Sequence, residues 1–253
     1  MTCCASQLHH RAVKKPLILI PGLLCDEAVW AAQSAALADI ADVRVANNGP
    51  VDSLVRLAEA VIATAPARFA VAGHSMGGRV ALEIARRVPD RLLGLALLDT
   101  GFEALAPGEA GQRETAGRHE LLEKARREGM RSMARAWVRG MVYPPRLSDA
   151  ALIDPILDMF ERRTPDFYAL QIKALLSRPD ATSVLAAIPC PTLVLCGHED
   201  VWAPPSRHEF MAKSIPQGRL EVIPECGHMA PMERPEAVAA ALRSWLQSTG
   251  ADS

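Results

Sequence analysis

Six short runs rich in aliphatic and β-branched residues recur along this chain, and helical patterns separate most of them. The runs are LILI at Leu17, DVRVAN at Asp42, RFAVAG at Arg68, LLGLALLD at Leu92, PTLVLCG at Pro191 and LEVIP at Leu220. Strands that alternate with helices pair in parallel and are covered on both faces, so the pattern predicts a mostly parallel, doubly wound α/β sheet. The 253 residues are enough for one such domain with an insertion.

The alternation stops between residues 104 and 187, where amphipathic helical patterns follow one another without a strand. One pattern has an apolar side with Met130, Met133, Trp137 and Met141 and an opposite row of Arg127, Arg131, Arg135 and Arg139. We interpret the arginine row as a solvated face rather than a carboxylate clamp. We therefore predict a core of residues 16–103 and 188–248, an all-helical insertion of residues 104–187, and a disordered tail of residues 1–15.

A serine between two glycines marks the junction of one strand with the helix that follows it. The stretch Gly73-His74-Ser75-Met76-Gly77 comes after the strand-like RFAVAG and before the helical RVALEIARRV. Flanking glycines allow a tight strand-to-helix turn that lifts the serine hydroxyl above the sheet. Ser75 could be a nucleophile, or it could merely cap the helix in a tight turn. The combination of strand, motif and helix favours the nucleophile.

A nucleophilic serine requires a base held by a carboxylate, and the sequence offers both groups downstream. Asp200 ends a predicted buried strand, and His228 follows the next strand. Functional groups in open α/β sheets gather at the carboxyl ends of the strands, and all three candidates fall there. Glu199 is the alternative acid. We interpret His198 and His208 as polar surface groups.

The chain resembles the α/β-hydrolase family from Pro16 to Leu246, with the helical insertion at the place of the family's lid. The matching residues are Gly197, Asp200 and Pro204 of the acid motif and Gly227, His228, Glu233 and Pro235 of the base motif. The resemblance implies a catalytic triad of Ser75, Asp200 and His228.

Backbone donors for an oxyanion come from the same resemblance. It implies the N–H groups of Met76, after the nucleophile, and of Leu23, in the loop after the first strand. Leu24 is the alternative donor. The family usually has a histidine before the glycine of this loop, and Pro21 stands there instead. The loop must therefore be braced in another way.

We expect an apolar substrate pocket above Ser75, built in large part by the insertion. Its candidate residues are Leu24, His74, Met130, Met133, Trp137, Met141, Phe160, Trp202 and Met229. The alternative is that the large side chains of the insertion pack its helices against the core. Methionine adapts to irregular shapes, which would suit a broad range of apolar substrates.

The leading functional hypothesis is a serine hydrolase that cleaves small carboxylic esters through an acyl-enzyme. Thioesters, lactones and enol-lactones fit the same machinery. A second hypothesis is C–C bond chemistry, since SMGGR also resembles the eliminating synthase of the menaquinone pathway; in such an SHCHC-synthase-like lyase, Arg79 would bind a substrate carboxylate. A third is a non-catalytic ligand-binding protein on the same fold.

Composition limits the partners. The formal net charge is -1, which gives no electrostatic reason to expect nucleic acid or an anionic membrane. Six cysteines scattered without metal-type spacing indicate reduced thiols in a cytoplasmic protein without a metal site. Because the apolar run from Leu17 to Leu24 is short and Pro21-Gly22 interrupts it, we expect no export signal. We expect a small-molecule, largely apolar substrate, no cofactor and an undetermined oligomeric state.

Overall fold

A computed structural model of the protein describes residues 14–249, and its centre is a six-stranded parallel sheet. The strands are β1 Lys15–Ile20, β2 Ala41–Val45, β3 Phe69–His74, β4 Leu92–Leu98, β5 Thr192–Gly197 and β6 Gly218–Ile223. They are arranged in the order β2-β1-β3-β4-β5-β6. The six predicted strands are therefore all present, and the predicted fold class is confirmed.

Burial explains why the central strands are continuous apolar runs. Every residue of β3 and β5 is buried, whereas the outer strands β2 and β6 are partly exposed. Parallel strands in the middle of a doubly wound sheet are covered on both faces, so both sets of side chains must be apolar.

Helices cover the two faces of the sheet. Helix α1 (Ala31–Leu37) packs against α11 (Pro235–Ser248), the last helix of the described residues, which follows the short α10 (Ala230–Glu233). Helices α2 (Leu54–Thr64) and α3 (Met76–Arg87) pack against each other, and α9 (Pro205–Ser214) packs on β5 and β6. Right-handed crossovers place these three helices together on the face opposite α1.

Five helices lie between β4 and β5. They are α4 Gly108–Glu128, α5 Met130–Trp137, α6 Ala150–Glu161, α7 Pro165–Leu176 and α8 Thr182–Leu185. Helix α7 begins at Pro165, because the Thr164 hydroxyl accepts from the N–H of Phe167 and proline is favoured in the first turn of a helix. Helix α5 is shorter than the pattern suggests. It ends at Trp137, and a 3-10 turn leads on to Met141.

The predicted tail of residues 1–15 falls mostly outside the described residues. The described residues begin with Lys14, and Lys15 already belongs to β1, where its ammonium group donates to the carbonyl of Leu246 over 2.8 Å. Within residues 14–249, no helix has both the length and the apolar character needed to cross a membrane.

Candidate active site

Ser75 lies in a sharp turn between β3 and α3. Its backbone has φ of 53° and ψ of -116°, a conformation that residues with side chains rarely adopt. A Cβ atom at Gly73 would overlap the main-chain oxygen of Gly77, and one at Gly77 would overlap that of Ile20. The two glycines therefore allow β3, β1 and α3 to approach closely enough to hold the serine in this conformation.

The side chains of Ser75, His228 and Asp200 form one hydrogen-bonded chain. Nε2 of His228 lies 2.8 Å from Oγ of Ser75, and Nδ1 lies 2.8 Å from Oδ2 of Asp200. An ionised carboxylate can only accept, so Nδ1 carries the proton and Nε2 is free to accept one from the serine hydroxyl. Asp200 and His228 are buried, whereas Ser75 is half-buried at the wall of a cavity.

The other oxygen of Asp200 is held by the main chain. Its Oδ1 accepts from the N–H groups of Trp202 and Ala203, each over 2.9 Å. Burial alone would raise the pKa of the Asp200 carboxyl. The charge and hydrogen bond of His228, together with these two N–H groups, have the larger effect, so the pKa lies below its usual value. Asp200 is therefore ionised at neutral pH.

Glu233 holds the loop that carries His228. Its buried carboxylate accepts from the main-chain N–H groups of Gly227 (3.1 Å) and Met229 (3.0 Å), on either side of the histidine. It also accepts from the N–H of Tyr143, over 2.8 Å, in the helical insertion. Burial raises the pKa of the Glu233 carboxyl above its usual value. The family motif marked this glutamate in the sequence, but no local pattern indicated its contacts.

Glu199, the alternative acid, makes its hydrogen bonds elsewhere. Its Oε2 accepts from the N–H of Cys226 over 2.8 Å, and its Oε1 lies 3.0 Å from Nδ1 of the exposed His198. Glu199 thus braces the turn before His228, and no hydrogen bond joins the two side chains in the described part of the chain.

Two buried histidines lie close to this site. Nε2 of His74 is 2.8 Å from the carbonyl oxygen of His228, which can only accept, so Nε2 carries the proton. Burial, and then the charge of His228, lower the pKa of His74 to about 3. Nδ1 of His74 has no partner among residues 14–249.

The prediction that His208 is a surface group is wrong. His208 is fully buried, and its Nε2 accepts from the N–H of Thr100 over 3.1 Å. Burial lowers its pKa to about 4. The error arises because α9 turns this side chain towards β5, which the polar residues around it did not indicate.

Asp99, directly after β4, is a further buried carboxyl, and it was not among the predicted site residues. It has a positive φ of 47°, and its Oδ1 accepts from the N–H of Gly197 over 3.0 Å. Burial, and then the charge of Asp200, raise the pKa of Asp99 well above its usual value. The one sequence signal for a functional position was that Asp99 directly follows a central strand, in the stretch LLDT.

Two backbone N–H groups near Ser75 are free to bind an oxyanion. The N–H groups of Leu23 and Met76 have no acceptor among the described residues, and Met76 opens α3, where a helix leaves its N–H groups unbonded. Both residues line the cavity. The N–H of Leu24 donates to Oε1 of Gln171 over 2.8 Å, which removes the alternative donor.

Side chains from distant elements brace the loop of Leu23. Nδ2 of Asn48 donates to the carbonyl of Pro21 over 2.6 Å. From the insertion, Arg163 donates to the carbonyl of Cys25 over 3.1 Å, and Arg162 forms an ion pair with Asp26 at 2.8 Å. Together with Gln171, these contacts replace the histidine that the loop lacks.

Ser75 and His228 line a cavity of about 840 Å³. Of the predicted pocket residues, six line it: His74, Trp137, Met141, Phe160, Trp202 and Met229. Three others, Leu24, Met130 and Met133, do not. Their prediction was wrong because all three side chains are buried away from the cavity: Leu24 in the loop after β1, and Met130 and Met133 in α5, a helix that packs against α4 and α6.

The aromatic side chains of the cavity wall also pack on one another. Trp137 stacks on Trp202 with ring centroids 5.6 Å apart and lies 5.3 Å from Phe160. Trp202 in turn lies 5.0 Å from the ring of His228. The two roles considered for Trp137, wall of the cavity and packing residue, are therefore both present.

The arginine row of the insertion lies away from the cavity. Arg127, Arg135 and Arg139 are exposed, and Arg131 forms an ion pair with Glu161 at 2.7 Å on the neighbouring helix α6. Residues 14–249 contain no group of three histidine, cysteine or acidic side chains that could hold a metal ion.

Comparison with known sequences gives a consistent set of relatives. The model of the alpha/beta hydrolase family matches residues 17–241. The chain is 29% identical, over 188 residues, to the 2-succinyl-6-hydroxy-2,4-cyclohexadiene-1-carboxylate synthase of Serratia proteamaculans, covering 72% of this chain and 69% of the synthase. It is 27% identical to the pimeloyl-[acyl-carrier protein] methyl ester esterase of Nitrosomonas europaea, covering 74% of each chain.

Solved structures give the same result. A malate-bound thermophilic esterase from Thermogutta terrifontis superposes with a TM-score of 0.81 and is 32% identical, covering 94% of this chain and 91% of the esterase. The enol-lactonase of Burkholderia xenovorans has a TM-score of 0.79 at 24% identity, covering 94% of this chain and 93% of the lactonase. At that identity, the second comparison supports the fold alone.

Proposed function

The chain belongs to the alpha/beta hydrolase family, and we propose that it is a serine hydrolase that cleaves small carboxylic esters through an acyl-enzyme. One observation carries the proposal. Ser75 Oγ, the His228 ring and the Asp200 carboxylate are joined by two hydrogen bonds of 2.8 Å at the wall of a large cavity. A serine, a base and an orienting acid in this order form the machinery of acyl transfer.

The proposed reaction has two halves. In the first, Nε2 of His228 takes the hydroxyl proton while Oγ of Ser75 attacks the ester carbonyl, and the proton then passes to the departing alcohol. In the second, His228 takes a proton from water, the resulting hydroxide attacks the acyl-enzyme, and the acid is released as Ser75 regains its proton. Asp200 holds the histidine in the required tautomer and stabilises its cationic form.

Charge on the substrate carbonyl oxygen develops in both halves. We assign its stabilisation to the N–H groups of Leu23 and Met76, which lack other acceptors among the described residues. Removal of one such donor from an oxyanion hole typically costs about 2.7 to 4 kcal/mol of transition-state stabilisation. The bonds from Asn48, Gln171 and Arg163 to the surrounding loop support this role, because an oxyanion donor must be fixed before the reaction.

The helical insertion is proposed to act as a lid that sets substrate size. Trp137, Met141 and Phe160 supply apolar wall to the cavity. The relatives named above include an enzyme that acts on a methyl ester and an esterase, which supports an ester as the substrate. Thioesters, lactones and enol-lactones remain within the same proposal, because each contains an activated acyl carbon.

C–C bond or elimination chemistry is the second candidate. The similarity to the cyclohexadiene-carboxylate synthase favours it, and so does Arg79, which lines the cavity four residues after Ser75. The third candidate is a binding protein without turnover. It is less well supported because both hydrogen bonds of a catalytic triad are present, from Ser75 to His228 and from His228 to Asp200.

A substrate panel tests the proposal. Short acyl methyl and p-nitrophenyl esters, a thioester, a lactone and a dienone carboxylate would be incubated with the protein, with Ser75→Ala, and with Ser148→Ala as an exposed-serine control. We expect ester hydrolysis with an initial burst of alcohol, lost in Ser75→Ala and retained in the control. If only the dienone carboxylate is turned over, C–C bond or elimination chemistry is favoured. If no substrate is turned over, a binding protein without catalytic activity is favoured.

A further inference from the structure

The loop after β1 contains a tight turn, and the proposed oxyanion donor Leu23 is its second residue. The turn comprises Gly22, Leu23, Leu24 and Cys25, and the N–H of Cys25 closes it by donating to the carbonyl of Gly22 over 3.2 Å. Leu24 has a φ of 61°, whereas the φ of Leu23 is negative. This combination is that of a type II turn, whose third position normally takes glycine or asparagine.

Leu24 is therefore strained. A residue with a side chain pays free energy in the left-handed region, and the alternative type I turn has no residue with a positive φ. The two turns differ by a rotation of the peptide between Leu23 and Leu24, which moves the N–H of Leu24 to the other side of the loop. A contact to that N–H selects between the two forms.

Gln171 supplies this contact from the helical insertion. It lies in α7, 147 residues further along the chain, and its Oε1 accepts from the N–H of Leu24 over 2.8 Å. The side chains of both residues are fully buried. Rotation of the peptide would break this bond, and a buried hydrogen bond is costly to lose. Gln171 thus stabilises the strained type II form.

The effect of Gln171 is on the loop, because its side chain does not line the cavity. Leu23 does line the cavity, and its N–H has no acceptor among the described residues. The side chain of Leu24 is anchored by burial, so a rotation of the peptide before it must be taken up by Leu23. An oxyanion donor must be fixed before the reaction, and a turn that changes between two forms does not fix it.

Two arginines of the insertion also contact this loop, but beyond the centre of the turn. Arg162 forms a bidentate pair with Asp26, at 2.8 and 3.0 Å, and Arg163 donates to the carbonyl of Cys25 over 3.1 Å. These bonds attach the end of the loop to the insertion. Of the three side chains, only Gln171 bonds the strained residue.

We propose that Gln171 is a positioning residue of the oxyanion site: it holds the type II turn and thereby fixes the N–H of Leu23. The assignment rests on the proposed function, which supplies the oxyanion. It gives the insertion a task besides that of a cavity wall, since α7 contributes Leu175 to the wall and Gln171 to the turn.

Two ketones of equal length separate oxyanion binding from ordinary binding. Octan-2-one binds without reaction, whereas 1,1,1-trifluorooctan-2-one has an activated carbonyl. Oγ of Ser75 bonds to its carbonyl carbon, the hydroxyl proton moves to Nε2 of His228, and the carbonyl oxygen becomes an oxyanion. Tryptophan fluorescence measures both Kd values, since Trp137 and Trp202 line the cavity. We expect the wild-type protein to bind the trifluoro ketone at least about 100-fold more tightly.

Variants of α7 locate the effect. Gln171→Met removes the acceptor and keeps the length of the side chain, so the preference for the trifluoro ketone should fall at least about tenfold. The Kd of octan-2-one should change less than about threefold. Gln171→Glu keeps an acceptor oxygen at the same length and should retain most of the preference. Lys173→Met is the matched control, because exposed Lys173 also joins α7 to the core, through Asp52 at 2.6 Å.

The melting temperature shows whether each variant is folded. If Gln171→Met is not, Gln171→Asn takes its place, since its amide is one CH₂ shorter and falls short of Leu24. An unchanged preference for the trifluoro ketone in the variant, or an equal loss in Lys173→Met, would overturn the assignment. Failure of the proposed function looks different: wild type and Ser75→Ala then bind both ketones equally well, and the assignment falls with it.

Discussion

The main-chain nitrogen of His228 donates a hydrogen bond of 2.7 Å to the carbonyl oxygen of Met141. Met141 follows α5, so the proposed base is held by the helical insertion as well as by the loop after β6. Glu233 strengthens the same junction, since its carboxylate bonds Tyr143 on one side and the neighbours of His228 on the other. The position of the His228 ring therefore depends on where the helical insertion lies.

Glu233→Gln tests this connection. An amide presents an NH₂ group where the carboxylate accepts main-chain donors, so the His228 loop should shift. Because small displacements of catalytic groups are costly, we expect kcat to fall by about 10- to 100-fold with a smaller change in KM. Steady-state kinetics well below the melting temperature measure this, with the exposed Glu236→Gln as control. A loss of stability with unchanged kcat would show that Glu233 is only structural.

Asp200→Asn and Glu199→Gln distinguish the two adjacent acids. The amide at residue 200 favours the wrong tautomer of His228, and kcat should fall by about 10⁴-fold. Glu199→Gln keeps an oxygen that can accept from Cys226, so kcat should change by less than about threefold. Ester hydrolysis rates of the two variants make the comparison, and the opposite ranking would reassign the acid.

Trp137→Ala should change both substrate size and stability. The indole lines the cavity and stacks on Trp202, so its loss enlarges the cavity and should move the optimum of kcat/KM to longer acyl chains. Because Trp137 is half-buried, the free energy of unfolding should also fall, but by less than the about 3 to 5 kcal/mol typical of a fully buried tryptophan. Kinetics on a homologous series of esters and denaturant unfolding measure the two effects.

Met133→Ala is the matched control, because Met133 is fully buried in the same helix but does not line the cavity. It should lower stability by about 2 to 5 kcal/mol and leave the acyl-chain optimum in place. An equal shift of the optimum in both variants would mean that loosening of the helix, rather than the cavity wall, determines substrate size.

The sequence predicted those features that depend on local pattern. The turn at Ser75 requires glycines within two residues, and each strand is a short apolar run, so both were visible. Contacts that join distant segments had no local signal: Gln171 and Asn48 brace the Leu23 loop from positions more than 20 residues away. The same is true of Arg178 and Glu114 in the cavity wall, which lie 64 residues apart in the chain and are joined by a hydrogen bond of 2.7 Å.

Errors on buried side chains have a related cause. Helical periodicity places Met130, Met133 and Trp137 on one side of α5 but does not say which of them meets the cavity. Helix α5 ends at Trp137, and Met141 beyond the following 3-10 turn lines the cavity, whereas the two earlier methionines are buried and do not line it. His208 was misjudged in the same way, because the polar sequence around it hides the one face of α9 that packs inward.

The buried histidines should make the folded protein less stable at acidic pH. Burial lowers the pKa of His208 to about 4 and that of His74 to about 3, whereas an unfolded histidine titrates near 6.5. Below pH ~6.5 the unfolded chain therefore binds protons that the native protein does not, and stability falls as the pH falls. Each histidine contributes up to about 1.4 kcal/mol per pH unit.

His208→Gln should flatten this dependence, since the glutamine oxygen can accept from Thr100 without taking a proton. Urea unfolding between pH 6.5 and 5 gives the slope, and the exposed His119→Gln serves as control. Equal slopes for wild type and His208→Gln would mean that His208 is protonated in the native protein.

The most direct test of the account is the site of covalent labelling by an acyl-transfer inhibitor. A fluorophosphonate or sulfonyl fluoride would be added to the protein, and the adduct would be located by peptide mass spectrometry. If Ser75 is the nucleophile, one adduct per chain forms on Ser75, at a rate that Asp200→Asn lowers strongly, and none forms in Ser75→Ala. An adduct on any other residue, or undiminished ester hydrolysis by Ser75→Ala, would contradict it.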